Sequence, residues 1–475
     1  MLTTKPDPPT EVCAELNHLP KLIVKLLWQR GITTKIEARK FLEPSLDDLY
    51  DPFLLKDMRI ARERIVSAVK QKEKIAIFGD FDADGITSTV VMVELLEKMN
   101  HRDVAVYTPD RFKRGEYGLT FAVAEKIIQG GSRLLIIIDS GMNNHAQIEA
   151  VAQKGIEVII IDHHQVISGR PRAIAVVNPY QSGEQYPFKD LSSCGLVLKL
   201  SQALLDTISV PFVELAAIAA VADRVPLLKE NRVITKIGGT SIEGTTRLGL
   251  KELMRLSNES LEALAQRINC ASELYDTNNA FELLTTDDPG LAERLARELS
   301  NEYWSRDGKF KEALVIAREQ VEHLAGGHNV VFIGHEKYDP ELRGMIAGRL
   351  RSADRRPIFV YTDSGDRLRG TARSSERFNL VTMLSRCGQY MDNFGGHPQA
   401  VGFDVKRQNL ESLRTCLLDQ EKEISGEMLK PEIAIDAQIS DIDRASLDYL
   451  EAFKPYGSGN PTPVILFNVK IDAKA

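Results

Sequence analysis

The sequence predicts an α/β protein. It has a doubly wound parallel-sheet domain, a smaller second α/β domain joined to it by a long helix, and a truncated β segment at the C-terminal end. Three observations carry this. Between residues 73 and about 225, short apolar runs alternate with stretches of helical periodicity, as in a parallel sheet with crossover helices. Four apolar stretches of that region run into acidic clusters. After a long charged stretch, NVVFIGH and RRPIFVYTD restart strand patterning.

Residues 1–72 read as an N-terminal helical segment. In LPKLIVKLLWQRG the apolar positions recur at helical spacing, and Gly31 suits the helix end. Thr34 and Glu37 have capping-box spacing at the start of the next helix. MRIARERIVSAVK reads as a further amphipathic helix. In the first α/β domain, residues 73–285, the expected strands are Lys74–Phe78, Val104–Thr108, Leu134–Asp139, Glu157–Asp162 and Ala173–Val177. Helices are expected over Thr87–Met99, Phe121–Gln129 and His145–Gln153, and Phe212–Val221 delivers Asp223. Asp288–Leu324 reads as one charged helix, with Leu291, Leu295, Leu299 and Trp304 on an apolar face. It accounts for a connecting helix over 286–325, with the second domain at 326–430. EIAIDAQI and PVILFNVKIDAKA then read as strands of a partial OB-like module over 431–475, because a closed OB barrel needs five strands.

A chain of 475 residues holds two or three domains. Hydrophobic content of 43% and charged content of 27% are those of an ordinary globular protein. The longest apolar runs are near strand length, and the N-terminus lacks the pattern of a signal peptide. The five cysteines are scattered, odd in number and without a CxxC pair. They are expected to be unpaired thiols in a reducing cytoplasm rather than metal ligands. A net charge of −7 does not announce nucleic acid, yet 60 Lys/Arg suffice for a local basic groove.

The acidic clusters carry the chemistry. KIAIF runs into Asp80, Asp82 and Asp84; LLIII into Asp139; EVIII into Asp162, His163 and His164; and LAAIAAVA into Asp223. Ligands of open α/β sheets bind outside the carboxyl ends of the strands, so these groups gather at one rim. Close like charges push one another towards protonation, and a divalent cation resolves that conflict. Asp/His ligation suits Mn²⁺ or Mg²⁺. Asp80, Asp82 and Asp84 alternate, so on an extended backbone they point the same way. An EF-hand loop would need Glu twelve residues after its first Asp, where the chain has Val91. Two adjacent metals would activate water and clamp a phosphoryl group. Arg111, Arg373, Ser374 and the Gly395-Gly396-His397 turn are candidate phosphate contacts.

GDFDADG, DSG, DHH and VADRVP, followed by GGH, resemble the DHH/DHHA1 phosphoesterases. LLWQRGITTKIEARKFLEPSLDDLYDPFLLKDM and PYGSGNPTP extend the similarity to the RecJ single-strand-specific exonucleases, over nearly the whole chain. The resemblance implies two Mn²⁺ or Mg²⁺ ions in a cleft between the DHH and DHHA1 domains. Asp80 and Asp82 would serve one metal, Asp139 would bridge, and Asp84, His163 and Asp223 would serve the other. His164 would support the site or the scissile phosphate, while Arg111, Arg373 and His397 match phosphate- or DNA-contacting positions. The implied reaction is hydrolysis of single-stranded DNA from its 5′ end to mononucleotides, in DNA repair and recombination. The implied partners are a single-strand-binding protein or a helicase, around a cytoplasmic monomer.

Three stretches depart from the family pattern. Phe78 stands where related pyrophosphatases carry a metal-binding histidine; Glu273 stands where RecJ proteins carry an arginine; and Asp339–Gly344 replaces a His-x-Gly-Val-Val-Gly motif. The Glu273 and Asp339–Gly344 departures keep open a catalytically quiet scaffold that binds DNA or replication proteins. The acid core alone also fits a nanoRNase or a cyclic-dinucleotide phosphodiesterase. Asp82–Thr87 nearly spells the DxDGT of HAD-type phosphatases, which does not account for Asp80, the paired histidines or GGH.

Overall fold

The computed structural model describes residues 2–109, 118–167, 169–257, 260–270, 279–324, 327–430 and 433–467. The chain divides into two compact units: Thr4–Tyr303 with Ile435–Ala475, and Met1–Thr3 with Trp304–Ala434.

In the first unit, the helices that precede the sheet include α1 (Lys21–Trp28), α2 (Lys35–Leu42) and α3 (Met58–Gln71). The capping box is formed: Thr34 Oγ1 accepts from the Glu37 amide at 3.3 Å, and the Glu37 carboxylate accepts from the Thr34 amide at 3.2 Å. The sheet comprises β1 (Ile75–Gly79), β2 (Val104–Tyr107), β3 (Leu134–Ile138), β4 (Glu157–Ile161) and β5 (Ala175–Val177). Their order is β2-β1-β3-β4-β5, with every pair parallel. The chain reverses direction across the sheet at β1, so the crevice between the ends of β1 and β3 is the topological switch point, where ligands of such sheets bind.

Near-continuous apolar runs are what a sheet covered on both faces requires. Ile75, Ile77, Ile136 and Ile159 join a core with α3, α4 (Ala83–Lys98), α7 (Ser193–Leu205) and α8 (Val210–Ala222). Ala76, Phe78, Leu135 and Ile160 face the other way, towards α5 (Phe121–Gln129) and α6 (His145–Ala152). Phe78 is therefore a buried core residue. Register pairs Gly79 with Ile138 and Ile138 with Ile161, so the three loops that follow leave from one level.

Helix α9 (Lys229–Ser241) carries Arg232, which is 1% exposed. Its guanidinium donates to the carbonyls of Phe41, Ala452 at 2.6 Å and Phe453 at 3.0 Å, and lies 3.6 Å from the Phe41 ring centroid. It thus caps the C-terminal end of the helix Arg444–Ala452, where a cation meets the negative helix pole. Ala437 and Phe453 share an apolar cluster with Leu16, Leu22 and Phe41.

Helix α11 (Pro289–His323) has 35 residues. Leu295 and Leu299 are buried as the periodicity predicts, but Trp304 is 53% exposed and lies off that face. In the second unit the sheet comprises β6 (Val331–His335), β7 (Ile358–Thr362), β8 (Arg367–Arg373), β9 (Asn393–His397) and β10 (Ala400–Lys406), in the order β9-β10-β8-β7-β6. Only β6 and β7 run parallel among its pairs.

The cysteine expectation needs correction. Cys387 and Cys416 form a disulfide between the end of helix Leu380–Ser385 and helix Leu410–Asp419; among the described residues, Cys13, Cys194 and Cys270 take no part in a disulfide. A separation of 29 residues carries no pattern from which pairing could be read. Among the described residues, no helix is long and apolar enough to cross a membrane.

Candidate metal centre

The loop after β1 departs from the extended reading. Helix α4 begins at Ala83, not Thr87, with Asp82 as its N-cap: the Asp82 carboxylate accepts from the Gly85 amide at 3.0 Å. Asp84 therefore sits in the first helical turn, and the three aspartates do not share one strand face. The Ala83 amide donates to Asn269 Oδ1 at 2.7 Å, which ties the loop to helix α10 (Leu261–Cys270). Gly85 packs against the Asp80 backbone so closely that a Cβ would meet Asp80 Cα at 2.8 Å.

Asp84 is fully buried. Its carboxylate accepts from the Ser193 amide at 2.7 Å and the Cys194 amide at 2.8 Å, at the N-terminus of α7. A helix N-terminus favours an anion there. Burial and the Asp223 charge nevertheless push its carboxyl up to about 7. Asp139 follows β3 in the left-handed conformation, φ 61°, which Asp tolerates better than most residues. It is 2% exposed, and burial and the Asp84 charge raise its carboxyl well above the usual range. Asp80 is pushed up to about 6 by burial and Asp82.

His163 Nε2 lies 3.0 Å from Asp223 Oδ2, 3.5 Å from Asp139 Oδ1 and 3.9 Å from Asp84 Oδ2. Burial opposes its protonation, but the bonds to Asp139 and Asp223 push the imidazole up to about 12. Asp223 caps the end of α8. His164 Nδ1 lies 2.8 Å from Asp162 Oδ1, and that bond raises the imidazole. Burial would raise Asp162, but the His164 bond holds it below the usual range. Asp162 also accepts from the Met142 amide at 3.2 Å, so it orients His164 and the loop after Asp139 together.

The structure thus brings Asp84, Asp139, His163 and Asp223 together, with His164 beside them. Donor atoms of Asp84, His163 and Asp223 lie within 4.8 Å of one another, as do those of Asp139, His163 and His164. Asp80 and Asp82 complete neither group, though Asp82 adds charge at Asp80, Asp84 and Asp139. Buried carboxylates driven towards protonation beside an imidazole are a set that a divalent cation would satisfy. The sequence reading missed Ser193, Asn269 and the orienting role of Asp162. Asp162 could have been found, because a metal-site histidine commonly donates its second nitrogen to a carboxylate.

The remaining described candidates lie in the second unit. Arg373 is half-buried at the end of β8 and donates to Thr371 Oγ1 at 2.8 Å and the Ala372 carbonyl at 2.9 Å. No carboxylate pairs with it among the described residues, and burial lowers its pKa. A Cβ on Gly344 would meet its guanidinium at 3.2 Å. Ser374 is buried, and its hydroxyl donates to the Phe378 carbonyl at 3.4 Å. Gly395-Gly396-His397 is not a turn but strand β9, at the sheet edge and paired with β10. Gly396 has φ 140°, and a Cβ there would meet Val401 Cα at 2.9 Å. Gly395 and His397 are exposed. Arg111 and Glu273 lie outside the described residues.

Residues 74–222 match the DHH family, N-terminal domain, and residues 312–423 match the DHHA1 domain. The chain thus carries a DHH domain followed by a DHHA1 domain. It is 36% identical, over 94% of its length, to the single-stranded-DNA-specific exonuclease RecJ of Bacillus subtilis, of which it spans 59%. It is 29% identical to the RecJ of Dickeya dadantii, covering 94% of this chain and 83% of that one. Among solved structures, Thermus thermophilus RecJ in complex with Mn²⁺ is 25% identical with a TM-score of 0.79, covering 97% of this chain and 68% of that one. An exonuclease RecJ bound to manganese is 26% identical with a TM-score of 0.67, covering 80% of this chain and 97% of that one. The DHH/DHHA1 fold is thus the α/β architecture that the sequence predicts.

Proposed function

We propose that this DHH/DHHA1 chain is a metal-dependent exonuclease that hydrolyses single-stranded DNA from its 5′ end to mononucleotides, in DNA repair and recombination. The observation that carries the reading is the convergence of Asp84, Asp139, His163 and Asp223 at the switch point, in a chain whose relatives are RecJ exonucleases. Two divalent cations, Mn²⁺ or Mg²⁺, held by Asp80, Asp82, Asp84, Asp139, His163 and Asp223, would supply an activated water and offset phosphate charge.

The chain's own residues do the rest. The α7 amides fix Asp84, and Asp162 holds His164 by Nδ1, which leaves Nε2 to face a phosphate oxygen. His164 stays half exposed, so it can meet substrate while His163 stays inside the cluster. Arg373 offers a guanidinium that has no carboxylate partner among the described residues, suited to a charge-assisted phosphate bond. The finer reading is of a cytoplasmic monomer that works with a single-strand-binding protein or a helicase.

The test is cleavage of single-stranded DNA with Mn²⁺, compared with blunt duplex, by wild type and Asp223→Ala. Wild type should digest the single strand only, and the variant neither. No Mn²⁺-dependent cleavage by wild type would return the chain to the reading of a quiet DNA-binding scaffold.

A further inference from the structure

The acid cluster has a partner that is neither acid nor imidazole. Ser193 is fully buried at the first turn of α7 and touches two of the carboxylates through two different groups. Its amide donates to Asp84 at 2.7 Å, and its hydroxyl donates to Asp139 Oδ1 at 2.9 Å. The amide contact survives any side chain, because it belongs to the helix end. The hydroxyl contact requires a side-chain hydroxyl at this position.

An ionised carboxylate only accepts, with about four lone-pair directions on its two oxygens. A single hydroxyl hydrogen occupies one of them and fixes the rotation of the group about its Cβ–Cγ bond. Asp139 needs such a brace. Its backbone is in the left-handed region, it is 2% exposed, and its other near neighbour, His163, is shared with Asp223 and Asp84. Ser192, one residue earlier, is the helix N-cap, and its hydroxyl accepts from the Gly195 amide at 3.2 Å. The two adjacent serines therefore divide two tasks: one holds the helix end, and the other reaches the cluster.

We propose that Ser193 is a positioning residue for the metal centre, its hydroxyl holding the Asp139 carboxylate in the orientation that receives divalent cations. This rests on the metal-dependent reading above. Supporting partners of metal ligands typically contribute 10- to 100-fold in metal affinity.

The experiment is a Mn²⁺ titration followed by the electron paramagnetic resonance signal of the free ion, on the full chain. Wild type, Ser193→Ala, Ser193→Gly and Ser192→Ala are compared, with folding checked by circular dichroism. Ser193→Ala should bind Mn²⁺ about 10- to 100-fold more weakly, with turnover recovering at excess Mn²⁺. Ser192→Ala should lose thermal stability and keep wild-type Mn²⁺ affinity. If Ser193→Ala does not fold, Ser193→Gly carries the same expectation, since glycine is tolerated at helix starts. Wild-type affinity in a folded Ser193 variant overturns the proposal, as does an equal loss in Ser192→Ala. A wild type that binds no Mn²⁺ removes the metal-dependent reading itself, a failure recognisable before any variant is compared.

Discussion

His163 Nε2 lies 3.0 Å from Asp223 Oδ2, joining the loop after a central strand to the end of a buried helix. The contact brings together residues far apart in sequence, one following an apolar strand and the other an apolar helix. Removing either partner leaves a charged group inside the cluster without its neighbour, so His163→Ala should reduce Mn²⁺ binding and activity together. Loss of activity with unchanged Mn²⁺ binding would place His163 outside the metal set.

Asp139 is expected to be indispensable. Asp139→Asn keeps a residue that tolerates the left-handed backbone and removes only the charge. It should abolish activity and lower bound Mn²⁺ without unfolding. Asp139→Ala should do the same with an added loss of stability, since alanine is strained at φ 61°. Wild-type turnover in Asp139→Asn would contradict the mechanism.

Metal uptake should depend on pH with a definite sign. Without metal, His163 is pushed up to about 12, and Asp84 and Asp80 to about 7 and about 6. A cation must displace the protons these groups hold, so binding releases protons and tightens as pH rises. The thermal stabilisation by Mn²⁺ should be larger at about pH 8 than at about pH 6 and vanish on chelation. Thermal shifts across that range check the prediction; a larger shift at the lower pH would count against it.

Arg373→Ala should raise KM for single-stranded DNA about 10- to 100-fold, because a charge-assisted hydrogen bond is worth roughly 1.5–3 kcal/mol. Gly344→Ala should have a smaller effect in the same direction, by crowding that guanidinium. Steady-state kinetics on a folded variant decide this; an unchanged KM would make Arg373 a structural charge.

Arg232→Leu should destabilise the first unit by about 3 kcal/mol, because it leaves several backbone carbonyls unsatisfied at once. Chemical denaturation measures this directly. A stability within about 0.5 kcal/mol of wild type, the range of ordinary surface changes, would show that the Phe41 and Phe453 contacts do not hold the C-terminal segment in place.

Much of the site was legible because its signals are local. Apolar runs that end in Asp139 and in Asp162-His163-His164 announce strand ends, and a parallel sheet sends those ends to one rim. Alternation of Asp80, Asp82 and Asp84 suggests an extended strand, whereas Asp82 caps a helix that begins at once. Ser193 was not legible: it lies in LSSCG, which carries no ligand type, and only the fold brings it to Asp139. GGH read as a turn because Gly-Gly favours one, but ladder pairing with Ala400–Lys406 outweighs that preference. The Cys387–Cys416 bond depends on packing that spacing does not encode.

The most direct test follows the digestion of one strand labelled at its 5′ end and of the same strand labelled at its 3′ end, with Mn²⁺ and at increasing salt. The account predicts that the 5′ label appears at once as mononucleotide, that the 3′ label remains in shortening chains, and that digestion stops at a hairpin. It also predicts that binding falls steeply as salt rises, because phosphate contacts release counterions. Immediate release of the 3′ label, or equal digestion of single strand and duplex, would contradict it.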